Sequence, residues 1–164
     1  MNNKAFFEPK VINEQSFSNI ENQEELFILL DKLNKIVENH NDCYPNINEW
    51  LNKVKSDLKL GTRIIIIEWI NNEVAGFCIL KNTKEKKVCF LFVSENYQKV
   101  GIATKLFKKS FHYLNTNKPL FSINQKKLPM FKKIIENFEF EESCRYPNYY
   151  KQNEIEISFN GLLF

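Results

Sequence analysis

The sequence predicts an α/β fold of the α+β mixed-sheet type, with six to seven strands and four helices on both faces. Two amphipathic helical stretches fill the first third of the chain. From Arg63 to Val93 the chain is rich in β-branched and apolar residues, broken only by short polar turns, and reads as a three-strand meander. Helix and strand patterns then alternate to the end, which places helices on both sides of one sheet.

From Asn22 to about Asn39, Leu26, Leu29, Leu30, Leu33 and Val37 recur at three and four and line one helical face. After the break Cys43-Tyr44-Pro45-Asn46, Ile47, Leu51, Val54 and Leu58 mark a second helix over Ile47 to Lys59, with Asn46 placed as its N-cap and Gly61 ending it. Arg63 to Ile70 is apolar on both faces, as in a strand buried between two layers. Asn71-Asn72 is a two-residue turn into Val74 to Leu80, and a polar turn at Asn82 to Lys86 leads into Lys87 to Val93. A third helix begins near Gly101 and runs to Leu114, with Ala103, Leu106, Phe107, Phe111 and Leu114 facing inward. Pro119 to Ile123 is a short strand, and Leu128 to Glu136 a fourth helix with Pro129 in its first turn. Phe138 to Arg145 and Glu154 to Phe159 are two further strands, and a short strand around Lys10 to Asn13 completes the upper count. No internal repeat or composition boundary divides the chain, so residues 1–164 are expected as a single domain.

Hydrophobic residues at 43% and charged residues at 26% exclude a wholly disordered chain, and four glycines exclude a collagenous one. The longest aliphatic run, Ile64 to Ile67, stops at Glu68, far short of the ~20 residues of a membrane span. Met1-Asn2-Asn3-Lys4 leads into no signal-type segment, so the expectation is a soluble cytoplasmic protein with no membrane partner. Cys43, Cys78, Cys89 and Cys144 form no C-x-x-C pair, which argues against disulfides and zinc. His40 and His112 have no second ligand at helical spacing, so no metal site is expected. The net charge of +3 conceals an asymmetry: Lys81 to Lys133 holds thirteen lysines against Glu85 and Glu95, a surplus of +11, and the remainder carries −8. That window is suited to meet anions if it also holds a phosphate-binding geometry.

It does. After the strand end Leu91-Phe92-Val93, a polar loop runs through Ser94 to Val100 and a helix starts at Gly101. A helix's first turn offers unpaired N–H groups and the positive end of its dipole, and it holds a diphosphate where small side chains allow close approach. Gly101 and Ala103 are small, and Lys99, Lys105, Lys108 and Lys109 surround the opening.

The segment Gln98-x-x-Gly101-x-Ala103 resembles the acetyl-coenzyme A loop of the GNAT family of N-acetyltransferases, and the predicted element order from Asn22 to Phe159 is similar to that family's fold. The resemblance implies a GNAT-like central twisted, mostly antiparallel sheet and acetyl-coenzyme A as cofactor. It implies that Leu91, Phe92 and Val93 run along the pantetheine arm. The amides of Gln98, Lys99, Val100, Gly101, Ile102, Ala103 and Thr104 would hold the diphosphate. A second family segment, an asparagine followed by a tyrosine-bearing helix and a Gly-Phe pair, resembles Asn124 to Phe131 through Phe138-Glu139-Phe140, and adds Asn124 and Phe131 to the cofactor side. Phe131 stands at the family's usual tyrosine, Glu139 at its glycine, and Val88 near its frequent strand glutamate.

Acetyl transfer to an amine needs a group that takes a proton from the amine and one that protonates or stabilises the leaving thiolate. Phe131 cannot donate; Tyr146, Tyr149 and Tyr150 crowd the connection between the last two strands, and a paired tyrosine there resembles the arrangement in the ribosomal-protein acetyltransferase branch, which implies Tyr150 as the first candidate acid and Tyr149 as the second, with Cys144 nearby in sequence. Glu68, the carboxylate inside an otherwise apolar strand, is the candidate base, with a water relay as the alternative. The resemblance implies direct transfer to a primary amine of a small molecule or peptide, in a cleft formed by the first two helices and the last hairpin, including His40 to Tyr44. Glu38, Asp42 and Glu49 favour a cationic acceptor. Three other readings stay open: a toxin-like member acetylating aminoacyl-tRNA, a silent coenzyme A binder, and a basic nucleic-acid-binding protein. The helical spacing of Phe107 and Phe111 and the scarcity of arginine argue against the last. The terminal segment Glu154 to Phe164, ending Leu162-Leu163-Phe164, is expected as an edge strand or tail that packs on a partner copy, leaving a homodimer open.

Overall fold

The computed structural model describes residues 6–40 and 45–163. Seven strands, β1 (Val11–Ile12), β2 (Arg63–Ile70), β3 (Glu73–Asn82), β4 (Lys86–Val93), β5 (Leu120–Asn124), β6 (Glu142–Pro147) and β7 (Ile155–Phe159), form one sheet in the order β1-β2-β3-β4-β5-β7-β6. Every neighbouring pair is antiparallel except β4 with β5. The Asn71-Asn72 turn has both residues at positive φ, 51° and 62°, which matches the twist of a tight hairpin.

Period-two alternation sorts the meander's side chains between two helical layers. Ile65, Ile67, Phe77 and Ile79 pack under α1 (Gln23–Asn39) and α2 (Ile47–Leu60), against Leu26, Leu30, Leu33, Leu51 and Leu58. Ile64, Ile66, Cys78 and Leu80 face the other way, toward α3 (Ile102–Leu114) and α4 (Leu128–Asn137). Phe107 and Phe121 meet edge to face at 5.2 Å, and Phe121 and Phe131 lie 5.3 Å apart. Phe107, Phe111, Phe121 and Phe131 thus pack on the core that α3 and α4 share.

On α3, Leu106, Phe107 and Leu114 are buried as expected and Ala103 and Phe111 pack half-buried against the same core, with Ser110 buried beside them and its hydroxyl donating to the Leu106 carbonyl at 2.7 Å. Three details depart from expectation. Asn46 precedes α2 but sits at φ 61° and makes no capping bond with its side chain. The strand expected from Phe138 starts at Glu142, because Phe138 to Phe140 close the end of α4. The last strand is not an edge: β7 lies between β5 and β6, and β6, with Pro147 at its end, is the outer strand. Beyond β7, Leu163 is buried and its amide donates to the Tyr146 hydroxyl at 2.9 Å, so this tail packs on its own chain. Leu162 is exposed. Among the described residues no helix is long and apolar enough to cross a membrane.

Candidate active site

The parallel strands β4 and β5 meet only at Lys87 opposite Leu120 and Val88 opposite Phe121, then part. The cause lies in β4. Ile79 pairs with Phe90 and Leu80 with Val88, which leaves Cys89 as the extra residue of a bulge. A bulge bends and twists its strand, here turning the remainder of β4 away from β5. The resulting wedge encloses about 570 Å³, counting space open to solvent. Cys89, Phe90 and Leu91 form one wall, Ser122 and Asn124 the other, with Glu156, Lys127, Phe131 and His40 closing it. His40 packs on Phe92 at 4.8 Å, with Nδ1 2.9 Å from the Ile36 carbonyl.

Beyond the wedge β4 runs on through Val93 into the loop before α3. Lys99 and Gly101 both have positive φ, 66° and 86°. Gly101 is the N-cap, no side chain caps the helix, and the first helical bond runs from the Lys105 amide to the Gly101 carbonyl at 3.1 Å. A Cβ on Gly101 would meet nothing within 4 Å, so open space adjoins the uncapped amides. Ile102 anchors the helix start over Gly76, where a Cβ would come within 2.8 Å of Ile102 Cγ2 and 2.7 Å of the Phe92 carbonyl. Glycine at position 76 therefore lets α3 sit tightly on the strand junction. Gln98 closes the loop by donating its side-chain Nε2–H to the Val93 carbonyl at 3.4 Å. Lys99, Lys105 and Lys108 are exposed around this opening. An open space beside free amides, ringed by cations and joined to an unpaired strand edge, fits a diphosphate with an extended amide-bearing arm.

The sequence-derived candidates divide between two places. Leu91, Asn124 and Phe131 line the wedge, whereas Val100, Ala103 and Thr104 belong to the loop and first turn. Asn124 also braces the loop that follows β5, since its side chain accepts from the Lys126 amide at 3.0 Å and donates to Glu154 at 2.6 Å. Tyr150 sits beside Asn124 and Glu156 in a smaller cleft continuing from the wedge. Burial, then Glu156 and Tyr149, push its phenol well above the usual range, so it stays protonated. Tyr149 packs edge-on to Tyr150 at 4.7 Å and is itself 39% exposed.

Glu68 lies elsewhere. Its carboxylate is 2.6 Å from the Lys109 ammonium on α3 and does not line the wedge. Glu38 and Glu49 are exposed and also stand outside the wedge lining; Asp42, Cys43, Tyr44 and Phe164 lie outside the described residues. The wedge instead holds two groups that pattern reading passed over. Cys89 receives a hydrogen bond from the buried Arg63 guanidinium at 3.0 Å, and burial nonetheless pushes its thiol up. Glu156 is 5% exposed and accepts from the Ser122 hydroxyl at 2.9 Å. Among the described residues no cluster of three His, Cys, Asp or Glu could hold a metal.

Residues 43–151 match the family model described as Acetyltransferase (GNAT) domain. Comparison with curated protein sequences returns no match. Among solved structures, a protein assigned to the GNAT acetyltransferases from Desulfovibrio desulfuricans aligns at TM-score 0.62 and 14% identity, covering 80% of this chain and 89% of that one. NAA60 of Arabidopsis thaliana, solved with acetyl-CoA, aligns at 0.63 and 17% identity, over 79% and 90%. A mutant of the spermidine N-acetyltransferase SpeG from Vibrio cholerae aligns at 0.58 and 14%, over 79% and 86%. At these identities the likeness establishes the shared fold.

Proposed function

Since the chain belongs to the GNAT acetyltransferases, which use acetyl-coenzyme A as cosubstrate, we propose that it transfers acetyl directly to a primary amine of a small molecule or peptide. The observation that carries this reading is that β4, freed from β5 beyond Val88, runs on from the wedge into the loop that ends at the uncapped start of α3. Coenzyme A would supply the activated acetyl group as a thioester. The freed edge of β4 at Leu91, Phe92 and Val93 would hold its extended arm, and the Gln98 to Thr104 amides its diphosphate, with Lys99 and Lys105 offsetting the charge. Phe131 and Phe90 give the wedge apolar walls that exclude water from the reacting bond.

Tyr150 supplies the proton for the departing thiolate, the role that Phe131 cannot take. A buried phenol held protonated beside the wedge suits that chemistry. The amine reaches the wedge past the end of α1 at His40 and the β6–β7 loop. Spermidine acetylation by one structural neighbour and the acidic surplus outside the central window favour a cationic acceptor.

Calorimetric titration with acetyl-coenzyme A tests the cofactor site, with Gly101→Trp as steric control and thiol release on spermidine, an aminoglycoside and a short peptide as the activity readout. One-to-one binding lost in Gly101→Trp, with thiol release on at least one amine that drops strongly in Tyr150→Phe, is expected. Absence of binding by the wild type would overturn the reading.

A further inference from the structure

Strand alternation sends Ile157 and Phe159 of β7 into the α3–α4 core, so the intervening Glu156 and Ser158 belong to the other face. Because β7 is inserted between β5 and β6, Glu156 stands opposite Asn124 on one side and Tyr146 on the other. It is the only carboxylate among the described residues lining the wedge. Among the described residues its carboxylate accepts one hydrogen bond, from the neutral Ser122 hydroxyl, and no cation lies at ion-pair distance from it. A buried carboxylate compensated so lightly is a poor structural element, since desolvation of the charge is costly.

We propose that Glu156, oriented by Ser122, is the group that takes the proton from the incoming ammonium, a reading that rests on the acetyl transfer argued above. It supplies from a different strand the carboxylate that Val88 does not. Burial pushes its carboxyl above the ordinary range, the direction that makes a carboxylate a better proton acceptor. The charged and titratable groups facing it are Lys87 of β4, Lys127 before α4, Cys89 in the bulge, Tyr150 after β6 and His40 at the end of α1. The two lysines and Ser122 oppose the effect of burial.

The protons balance. The ammonium gives one proton to Glu156, and the neutral nitrogen attacks the thioester carbonyl carbon. The C–N bond forms as the C–S bond breaks, and the thiolate takes the Tyr150 proton. The nitrogen's second proton restores Tyr150, its third remains on the amide, and Glu156 returns its proton to solvent.

The test uses the full chain with acetyl-coenzyme A and, as acceptors, spermidine and a short peptide with a free amino terminus. kcat/KM is followed from acid to alkaline pH for the wild type, Glu156→Gln and Ser122→Ala. In Glu156→Gln the rate is expected to fall about a hundredfold or more at neutral pH. The limb set by Glu156 should give way to one that follows the amine's own deprotonation, at about 8 for the peptide amino terminus and about 10 for spermidine, and the deficit should shrink along it. Acetyl-coenzyme A affinity by calorimetry should not change. Ser122→Ala removes a bond to the charged form and should move the limb to higher pH. Retention of the limb and rate in Glu156→Gln, or an unmoved limb in Ser122→Ala, overturns the assignment while leaving acetyl transfer intact. Loss of acetyl-coenzyme A affinity in Glu156→Gln overturns it in favour of a structural role. A wild type that binds acetyl-coenzyme A but releases thiol with neither amine brings down the transfer reading itself. If Glu156→Gln fails to fold, Ser122→Ala decides.

Discussion

Glu154 holds the start of β7 beside the smaller cleft, its carboxylate accepting from donors that include Lys126 at 2.7 Å, Asn124 at 2.6 Å and Lys151 at 3.5 Å. The Lys126 hydrogen bond above all lowers its carboxyl from the ordinary 4.5 to about 2. A folded-state value below the unfolded one means that protons bind the unfolded chain more tightly, so the stabilisation is complete above 4.5 and fades as pH falls toward 2. Glu154→Gln is therefore expected to melt below the wild type at neutral pH, and the gap should close on acidification through that interval. Melting curves followed by circular dichroism at neutral and acid pH check this; a gap independent of pH would assign the effect to packing. The same strand shows why residue-level reading was uneven. Within Gln98-x-x-Gly101-x-Ala103 the glycine marks a special backbone position that the sequence does carry, since Gly101 adopts a positive φ. Glu154-Ile155-Glu156-Ile157 reads locally as an ordinary half-solvated strand, and only the insertion of β7 beside β5 turns Glu156 into a buried wedge residue. Glu68, the acid that stands out within its strand, was drawn to Lys109 by an α3 contact that its own segment does not encode.

Three helices end in one geometry with three different residues. After α2, Gly61 takes φ 80° and the Thr62 amide reaches the Asp57 carbonyl; after α3, Asn115 takes φ 54° and Thr116 reaches Phe111; after α4, Glu139 takes φ 53° and Phe140 reaches Ile135. Each is a left-handed cap that satisfies carbonyls left over at the helix end. Glycine enters that conformation freely and asparagine tolerates it, whereas a glutamate Cβ is strained there. Lys118 reinforces the third cap by donating to the Phe138 and Glu139 carbonyls. Glu139→Gly is accordingly expected to stabilise the fold by about 1 kcal/mol, measured as a higher urea midpoint with an unchanged slope. A lower midpoint would mean that the glutamate side chain contributes more than its backbone costs. Element identities were legible throughout because apolar periodicity is local. The late start of β6 was missed because its apolar prelude, Phe138 and Phe140, serves the α4 cap and the aromatic cluster with Phe107 and Phe111 instead. The Cys89 bulge was missed for a related reason, since an extra residue in a strand shows only against its partner's register.

Across the whole molecule the sheet is two blocks, β1 to β4 and β5 to β7, joined through two residue pairs and through the core that α3 and α4 share with both. That construction makes the wedge the weak seam of the sheet, and any ligand seated in it bridges the blocks. A ligand at a hundred times its Kd that binds only the folded state adds about 2.7 kcal/mol, worth roughly 5 to 11 °C in Tm for a chain of this size. Acetyl-coenzyme A should therefore raise the Tm by that order, and hydrogen exchange should show where the gain resides. Slowing is expected in the outer half of β4 after the bulge, in Gln98 to Thr104 and in β5, whose unpaired edges the ligand would cover. The β2–β3 hairpin is already paired along its length and should change only as global stability rises. Equal slowing of local openings in β2, β3 and β4 would show that the ligand tightens the molecule without closing the seam. Slowing confined to α1 and α2 would place it on the wrong face of the sheet.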